Sequence, residues 1–325
     1  MKFGSFQSFK DRFLSRGGGR IDSFAMAAYG KLPIYKDYII WECQQGGAAE
    51  FKLWLDEAFG MPWEAFDGKN ARLNAPYRVL LLLPGGRHAV VASMWPSADE
   101  GDLRKFPFSL FTVFSRGDII GRGLREAVEA VTPVWRAMEA QYRKIKQCQC
   151  IDDLYGYLQR STPTVDVPEP SPDEELSVED WLGWMYPGSV GNLRRWLDGE
   201  LRTVIEAYRS FPEQGESLAA RLPLARRLST APQVEIWDQL FRQNLKKMPV
   251  FPSVIIDCDP AEETGAVILV WRELRREDGR LFANHLADYE YVEMLAPLET
   301  PNRDGDDPSE SRTEVERWIG SFGAS

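Results

Sequence analysis

The residues of this chain that could carry chemistry are few. The apolar run Val254-Ile255-Ile256 ends in Asp257-Cys258-Asp259. Two carboxylates one residue apart at a strand end could hold Mn²⁺ or Mg²⁺ against a phosphate or a sugar nucleotide, which would make the chain a metal-dependent enzyme. The same Asp-x-Asp-Pro is ordinary turn chemistry, since Asp bonds its own backbone and Pro presets φ. Helical patterns, not a βαβ unit, precede it, so the context of a nucleotide site is missing. Gly30-Lys31 is followed by Leu32 instead of the Ser or Thr that holds Mg²⁺ in a phosphate-binding loop. Gly121-Arg122-Gly123 lacks the third glycine of a dinucleotide fingerprint, and Gly188-Ser189-Val190-Gly191 is not a nucleophile elbow. His88 and His285 have no ligand spacing, and Cys148-Gln149-Cys150 offers two thiolates where a structural zinc takes four ligands. The residues therefore point to no catalytic group, no metal and no cofactor.

Two other stretches combine prolines and charges with flanking aromatics. One is Tyr29-Gly30-Lys31-Leu32-Pro33, leading to Asp37-Tyr38. The other is Trp95-Pro96-Ser97-Ala98-Asp99, leading to Arg104-Lys105-Phe106-Pro107. They read as two ordered loops, close enough for Lys31, Asp37, Asp99 and Arg104 to pair. Such loops either only fix turns or present a binding surface on a rigid scaffold.

The elements that must position these loops follow from periodicity. Phe51, Trp54, Leu55, Ala58 and Phe59 line one side of a helix over 48–59. Tyr77–Leu83 and His88–Trp95 flank Pro84-Gly85-Gly86-Arg87 and read as a hairpin. Phe108–Phe114 alternates aromatic and small residues as a third strand. Leu124, Val128, Val131, Trp135, Met138, Tyr142 and Ile145 recur at helical spacing, and Thr132-Pro133 predicts a kink or a break there with Thr132 as cap. The sum is an antiparallel sheet backed by helices, an α+β layer over 23–160. Residues 161–180 hold four prolines and seven acids with no Lys or Arg, and read as a linker. A second, helix-rich α+β region follows over 181–298. It has helical patterns at 177–185 and 193–208, a helix opened by Pro232, and strands at 250–256 and 266–274. The helix followed by two strands in both regions raises a diverged duplication. An acidic tail occupies 299–325.

Composition sets the outer limits. The 325 residues are 44% hydrophobic and 27% charged, the balance of a globular chain. A net charge of −10 excludes nucleic acid as a partner of the bulk surface. The strongest apolar run, Val79–Leu83, is strand length, so no membrane span is expected. The first residues lack the apolar stretch of a secretory signal, and four cysteines are too few for a disulfide framework. A cytoplasmic location is the expectation. Residues 1–22 stand apart: over 1–20, Lys2, Lys10, Arg12, Arg16 and Arg20 oppose one acid, Asp11, and Phe3, Phe6, Phe13 and Leu14 could share a helical face. The segment reads either as a loose terminal helix or as a basic amphipathic one for an acidic partner or a membrane surface, which would place the chain peripherally at the inner membrane.

In order and spacing, the stretch 24–116 resembles the TagF (ImpM) family of bacterial type VI secretion proteins. The residues that carry the resemblance are Gly30-Lys31-Leu32-Pro33, then Asp37-Tyr38, an amphipathic Trp-bearing helix, an apolar hairpin, Pro96-Ser97-Ala98-Asp99, Arg104, and Phe106-Pro107 opening a strand. Leu103-Arg104 stands where the family has Gly-Arg, in a loop one residue longer. The resemblance implies a longin-like antiparallel sheet with flanking helices. It also implies a non-enzymatic regulator, a post-translational repressor that contacts a forkhead-associated scaffold protein or another type VI secretion component. The expected contact residues are Lys31, Pro33, Asp37, Tyr38, Pro96, Ser97, Asp99, Arg104, Phe106 and Pro107. The rival roles are the metal-dependent enzyme of Asp257 and Asp259 and a structural subunit of the secretion machine.

Overall fold

Uninterrupted apolar runs such as Val79–Leu83 need cover on both faces of a sheet, and the computed structural model of the chain provides it. It describes residues 24–60, 62–63, 69–70, 73, 75–161, 163, 219–224, 228–244, 251–258, 265–282 and 292–294. The basic segment 1–22, the stretch 161–180 apart from 161 and 163, the helical patterns at 177–185 and 193–208, Asp259, His285 and the tail 299–325 lie outside the described residues.

The described elements run β1 (Ala27–Gly30), β2 (Ile39–Trp41), α1 (Gly46–Gly60), β3 (Pro62–Trp63), β4 (Lys69–Asn70), β5 (Tyr77–Leu82), β6 (His88–Trp95) and β7 (Phe108–Ser115). Then come α2 (Arg116–Ile120), α3 (Leu124–Ile145), α4 (Ile151–Arg160), β8 (Ala219–Leu224), α5 (Thr230–Asn244), β9 (Ser253–Asp257), β10 (Gly265–Val270), a 3₁₀ helix (Arg276–Phe282) and β11 (Val292–Met294). Nine strands form one sheet in the order β11-β8-β10-β9-β5-β6-β7-β1-β2. Every neighbouring pair is antiparallel except β11 on β8. The protein is an α+β fold, an antiparallel sheet with flanking helices.

The hairpin expected around Gly85-Gly86 is present. Both glycines have positive φ, and the Leu83 amide donates to the His88 carbonyl at 3.1 Å. One core lies under α3 and α5, where Val128, Val131, Trp135 and Met138 meet Leu80, Val91 and Leu110 of the sheet, beside Val234 and Trp237. The other lies under α1 and the 3₁₀ helix, where Phe51, Trp54 and Phe59 meet Leu81, Phe111 and Phe282. Arg78 of β5 makes a two-pronged ion pair to Glu139 of α3, at 2.6 and 3.0 Å, which fixes that helix along the strand.

Three expectations change. The chain does not break at Thr132-Pro133: α3 is one helix of 22 residues with Pro133 inside it. Pro133 is only half-buried and sits on the side away from the core, while Val128 and Val131 before it and Val134, Trp135 and Met138 after it all pack inward. Burial on both sides outweighs one lost backbone bond, and the Thr132 hydroxyl donates back to the Val128 carbonyl at 2.7 Å rather than capping a new helix. The stretch holding Gly30 and Tyr38 is not only a loop: its ends are β1 and β2, which pair antiparallel from Ala28↔Trp41 to Gly30↔Ile39. Finally, the strands of 23–160 and 181–298 share one sheet. β9 pairs with β5 from Tyr77↔Asp257 to Leu80↔Val254, and the Ser253 hydroxyl accepts the Leu82 amide at 2.9 Å. β5 is apolar on both faces and would otherwise be a bare edge. Helix α1 covers one face and α5 the other, so the helix-strand-strand units of the two regions are not stacked in the same sense.

Candidate functional site

Gly30 ends β1 at φ +133°, a conformation open to glycine and strained for other residues. The crossing with β7 is close enough that a Cβ at this position would lie 1.9 Å from the Pro107 carbonyl oxygen. Gly30 thus lets the first loop press against the Phe106-Pro107 pair that opens β7.

Lys31 follows and is fully buried. Its ammonium is 3.9 Å from the Asp99 carboxylate, donates to the Lys36 carbonyl at 3.3 Å and lies 4.2 Å from the centre of the Tyr38 ring. Asp99, 5% exposed, accepts from the Leu103 amide at 2.9 Å, the Arg104 amide at 3.2 Å and the Arg104 Nε at 2.7 Å. Arg104 also donates to the Lys36 carbonyl, and the Glu100 amide reaches the Tyr35 carbonyl at 3.3 Å. One carboxylate and two cations therefore tie both loops together. Aromatic packing backs them: Tyr38 stacks on Tyr29 with centroids 5.5 Å apart and meets the Phe106 ring edge-on at 5.0 Å.

The electrostatics follow from this packing. The Arg104 guanidinium, with the two amides, holds the Asp99 carboxyl down at about 2 against burial. Burial, and then the charge of Arg104, push the Lys31 ammonium below its ordinary value. Burial also raises Tyr38. Burial and the hydrogen bond to Asp56 raise Tyr29. The lowered values of Asp99 and Lys31 make stability rise with pH in two separate windows, one acid and one alkaline. Asp99 stabilises the fold in full above its unfolded value of 3.8, and that contribution is lost as pH falls towards about 2. Lys31 binds its proton more weakly folded than unfolded, so between its lowered value and 10.5 stability rises with pH. Thermal melts of the wild type are expected to lose Tm between pH 4 and 2. Measured as a difference from Lys31→Met, the wild type should gain Tm as pH rises towards 10.5, against the opposing loss from Tyr29 and Tyr38, and the acid loss should remain in the variant. An unchanged alkaline limb in that variant contradicts the assignment.

Of the ten sequence-derived contact residues, the structure brings all to one end of the sheet, where β1 ends and β7 begins. They divide in two. Lys31, Asp99, Phe106 and Pro107 are buried, while Pro33, Asp37, Pro96 and Arg104 are exposed, and Tyr38 and Ser97 are half-buried. Asp37 acts on Lys31 and Arg104 through space and is in neither ion pair. Sequence reasoning marks Leu103 only as a departure from the family's Gly-Arg and misses it as a contact residue. It is 86% exposed at the tip of the second loop, next to Asp102 at φ +54°, and is the most exposed large hydrophobic among the described residues. A lone leucine inside Gly-Asp-Leu-Arg-Lys, where the family has Gly, was the signal that could have marked it. Also missed was the far wall of the site. The end of α3 closes a groove of about 640 Å³ against the loops, with Tyr142, Ile145 and Lys146 facing Pro33, Pro96 and Phe106.

The carboxylates of the rival reading are placed differently. Asp257 is buried and accepts from Arg221 at 2.9 Å across β8, β10 and β9, which gives it a structural partner. Asp259 lies outside the described residues. Among the described residues no cluster of three His, Cys, Asp or Glu side chains with metal-binding geometry occurs, and no helix is long and apolar enough to cross a membrane.

No protein-family model matches this sequence, and no curated protein matches it. Among solved structures, PA0076 from Pseudomonas aeruginosa PAO1 is similar at 18% identity and a TM-score of 0.28, over 45% of this chain and 64% of that one. The match thus spans less than two thirds of that protein, and a likeness this slight transfers neither fold nor function.

Proposed function

We propose that this chain is a non-enzymatic interaction protein that regulates type VI secretion, repressing it by occupying a forkhead-associated scaffold protein. One observation carries the reading: the two loops whose residues resemble the TagF family, far apart in sequence, are locked into a single surface by Lys31, Asp99 and Arg104. A surface built around a buried ion network is rigid before its partner arrives, so little ordering entropy opposes binding. Its outer residues, Pro33, Pro96, Leu103 and Arg104, mix apolar contact with one charge, the composition of a recognition patch. The mechanism is occupancy: the scaffold held here is withheld from assembly.

Co-purification with the scaffold tests this. Leu103→Asp should fold as the wild type, because the side chain is almost wholly in solvent, and should bind the scaffold roughly thirtyfold more weakly, the loss of a contact worth about 2 kcal/mol. Deletion of the gene should raise secretion. Equal capture of wild type and variant, or secretion abolished by deletion as for a structural subunit, contradicts the reading.

A further inference from the structure

The groove beside the two loops has a chemistry of its own. Its floor is apolar, from Leu32, Phe106 and Ile145, and its walls are Pro33, Pro96 and the Tyr142 ring. That ring is held by Trp95, stacked at 3.8 Å, and the second loop is held by the Phe106 amide donating to the Ser97 carbonyl at 3.1 Å. The groove is thus preformed. Prolines on its walls supply no amide donors, so an occupant is held by its side chains rather than by adding a strand.

Charge selects the occupant. The chain's net charge of −10 comes from residues 161–180 and 299–325, and the remainder is close to neutral. At this rim cations are in local excess. The two loops balance cations with acids, and Lys105 of the groove is paired with Asp102. The end of α3 then adds Arg143, Lys144 and Lys146, and no acid occurs over 141–150. All three of these cations are exposed, and Lys146 lines the groove. We infer that this groove binds an extended acidic segment of a partner protein, anchored by an aromatic or proline side chain on the floor and held by Lys146 at the rim. The inference rests on the proposed function for the partner's identity and on the groove alone for its chemistry.

The test uses the full chain and a fluorescein-labelled peptide, Asp-Glu-Trp-Glu-Pro-Phe-Asp-Glu, with a control carrying Lys at every acidic position. Saturable, salt-sensitive binding of the acidic peptide is expected, and none of the control. Lys146→Glu, a change on the solvent side of α3, should weaken it about tenfold by reversing the rim charge. Ser97→Trp, which fills the groove and leaves the charge intact, should weaken it comparably. No binding to wild type, equal binding of the control, or wild-type affinity in both variants overturns the inference. Self-association of the wild type that Lys146→Glu abolishes would assign the groove to a second copy and overturn it as well. The scaffold protein, run in parallel, separates the two readings. Groove-dependent peptide binding without any scaffold binding sinks the proposed function and leaves the groove assignment standing. Scaffold binding unchanged in both variants sinks the groove as its docking site and leaves the proposed function standing.

Discussion

Gly30→Val is expected to lose about 2–6 kcal/mol of stability and, with it, the scaffold binding proposed above. Two costs combine. A β-branched residue at φ +133° is strained by about 1–3 kcal/mol. The new Cβ would also start 1.9 Å from the Pro107 carbonyl oxygen and 2.8 Å from the Phe108 Cα. Those are backbone atoms at the opening of β7, next to its Tyr29↔Ser109 pair with β1, so the strands must part, at a further cost of about 1–3 kcal/mol. The damage falls where the two loops meet, because Lys31 is the next residue and Phe106 packs on Tyr29 and Tyr38. Urea unfolding measures the first effect and capture of the scaffold the second. A variant as stable as the wild type would mean that β1 and β7 do not approach this closely.

The second large effect is expected from Trp54→Ala, at about 3–5 kcal/mol. Trp54 is buried on α1 amid Phe51, Phe59 and Phe282, with ring centroids 5.8 to 6.1 Å away. Its indole N–H donates to the Arg275 carbonyl at 2.9 Å, just before the 3₁₀ helix. The residue therefore clamps an element of 23–160 to one of 181–298. Truncation opens a cavity and leaves that carbonyl unpaired. Because both regions share one sheet, the variant should still unfold in a single transition, shifted to lower urea, when near-UV and far-UV circular dichroism are compared. Two separated transitions would show that the regions unfold independently and would contradict the shared sheet. Gly279 lies at the same contact, where a Cβ would sit 2.5 Å from the Ala58 carbonyl oxygen.

Local patterns exposed much of this fold. The hairpin at Gly85-Gly86, the strand over 108–114, the apolar face of α1 and the stripe of α3 all follow from spacing within one element, where side-chain periodicity and turn chemistry decide the outcome. What stayed hidden is non-local. β1 and β2 are short, and their apolar residues look like loop residues until Ala28 finds Trp41 and Leu110. β8 contains Arg221 and Pro223, and it becomes a strand by pairing with β10 on one side and β11 on the other. Asp257 offered a rival metal-ligand reading because it ends an apolar strand two residues before Asp259. Its partner, Arg221, is 36 residues away and visible only once the sheet is closed. The break that was one of two alternatives at Pro133 fails for the same reason, since local propensity favoured it and the buried stripe on both sides outweighed it.

At the site, the residue types were legible and their roles were not. Lys31 and Asp99 look like surface charges in the sequence and are the buried centre of the junction. The exposed tip, Leu103, stood out only as a departure from the family's Gly-Arg, with nothing to mark it as exposed. The groove joins loop residues to the end of a helix more than thirty positions further along the chain, a proximity that no spacing rule reports.

The central claim is that the loops at 30–38 and 96–107 form one face that a partner covers. Hydrogen exchange of the full chain, alone and saturated with the forkhead-associated scaffold, tests it most directly. The account predicts new protection in both loops together, extending to the end of α3 and absent in Leu103→Asp. Protection confined to one loop, or falling instead on α1 or the β11 edge, would contradict it.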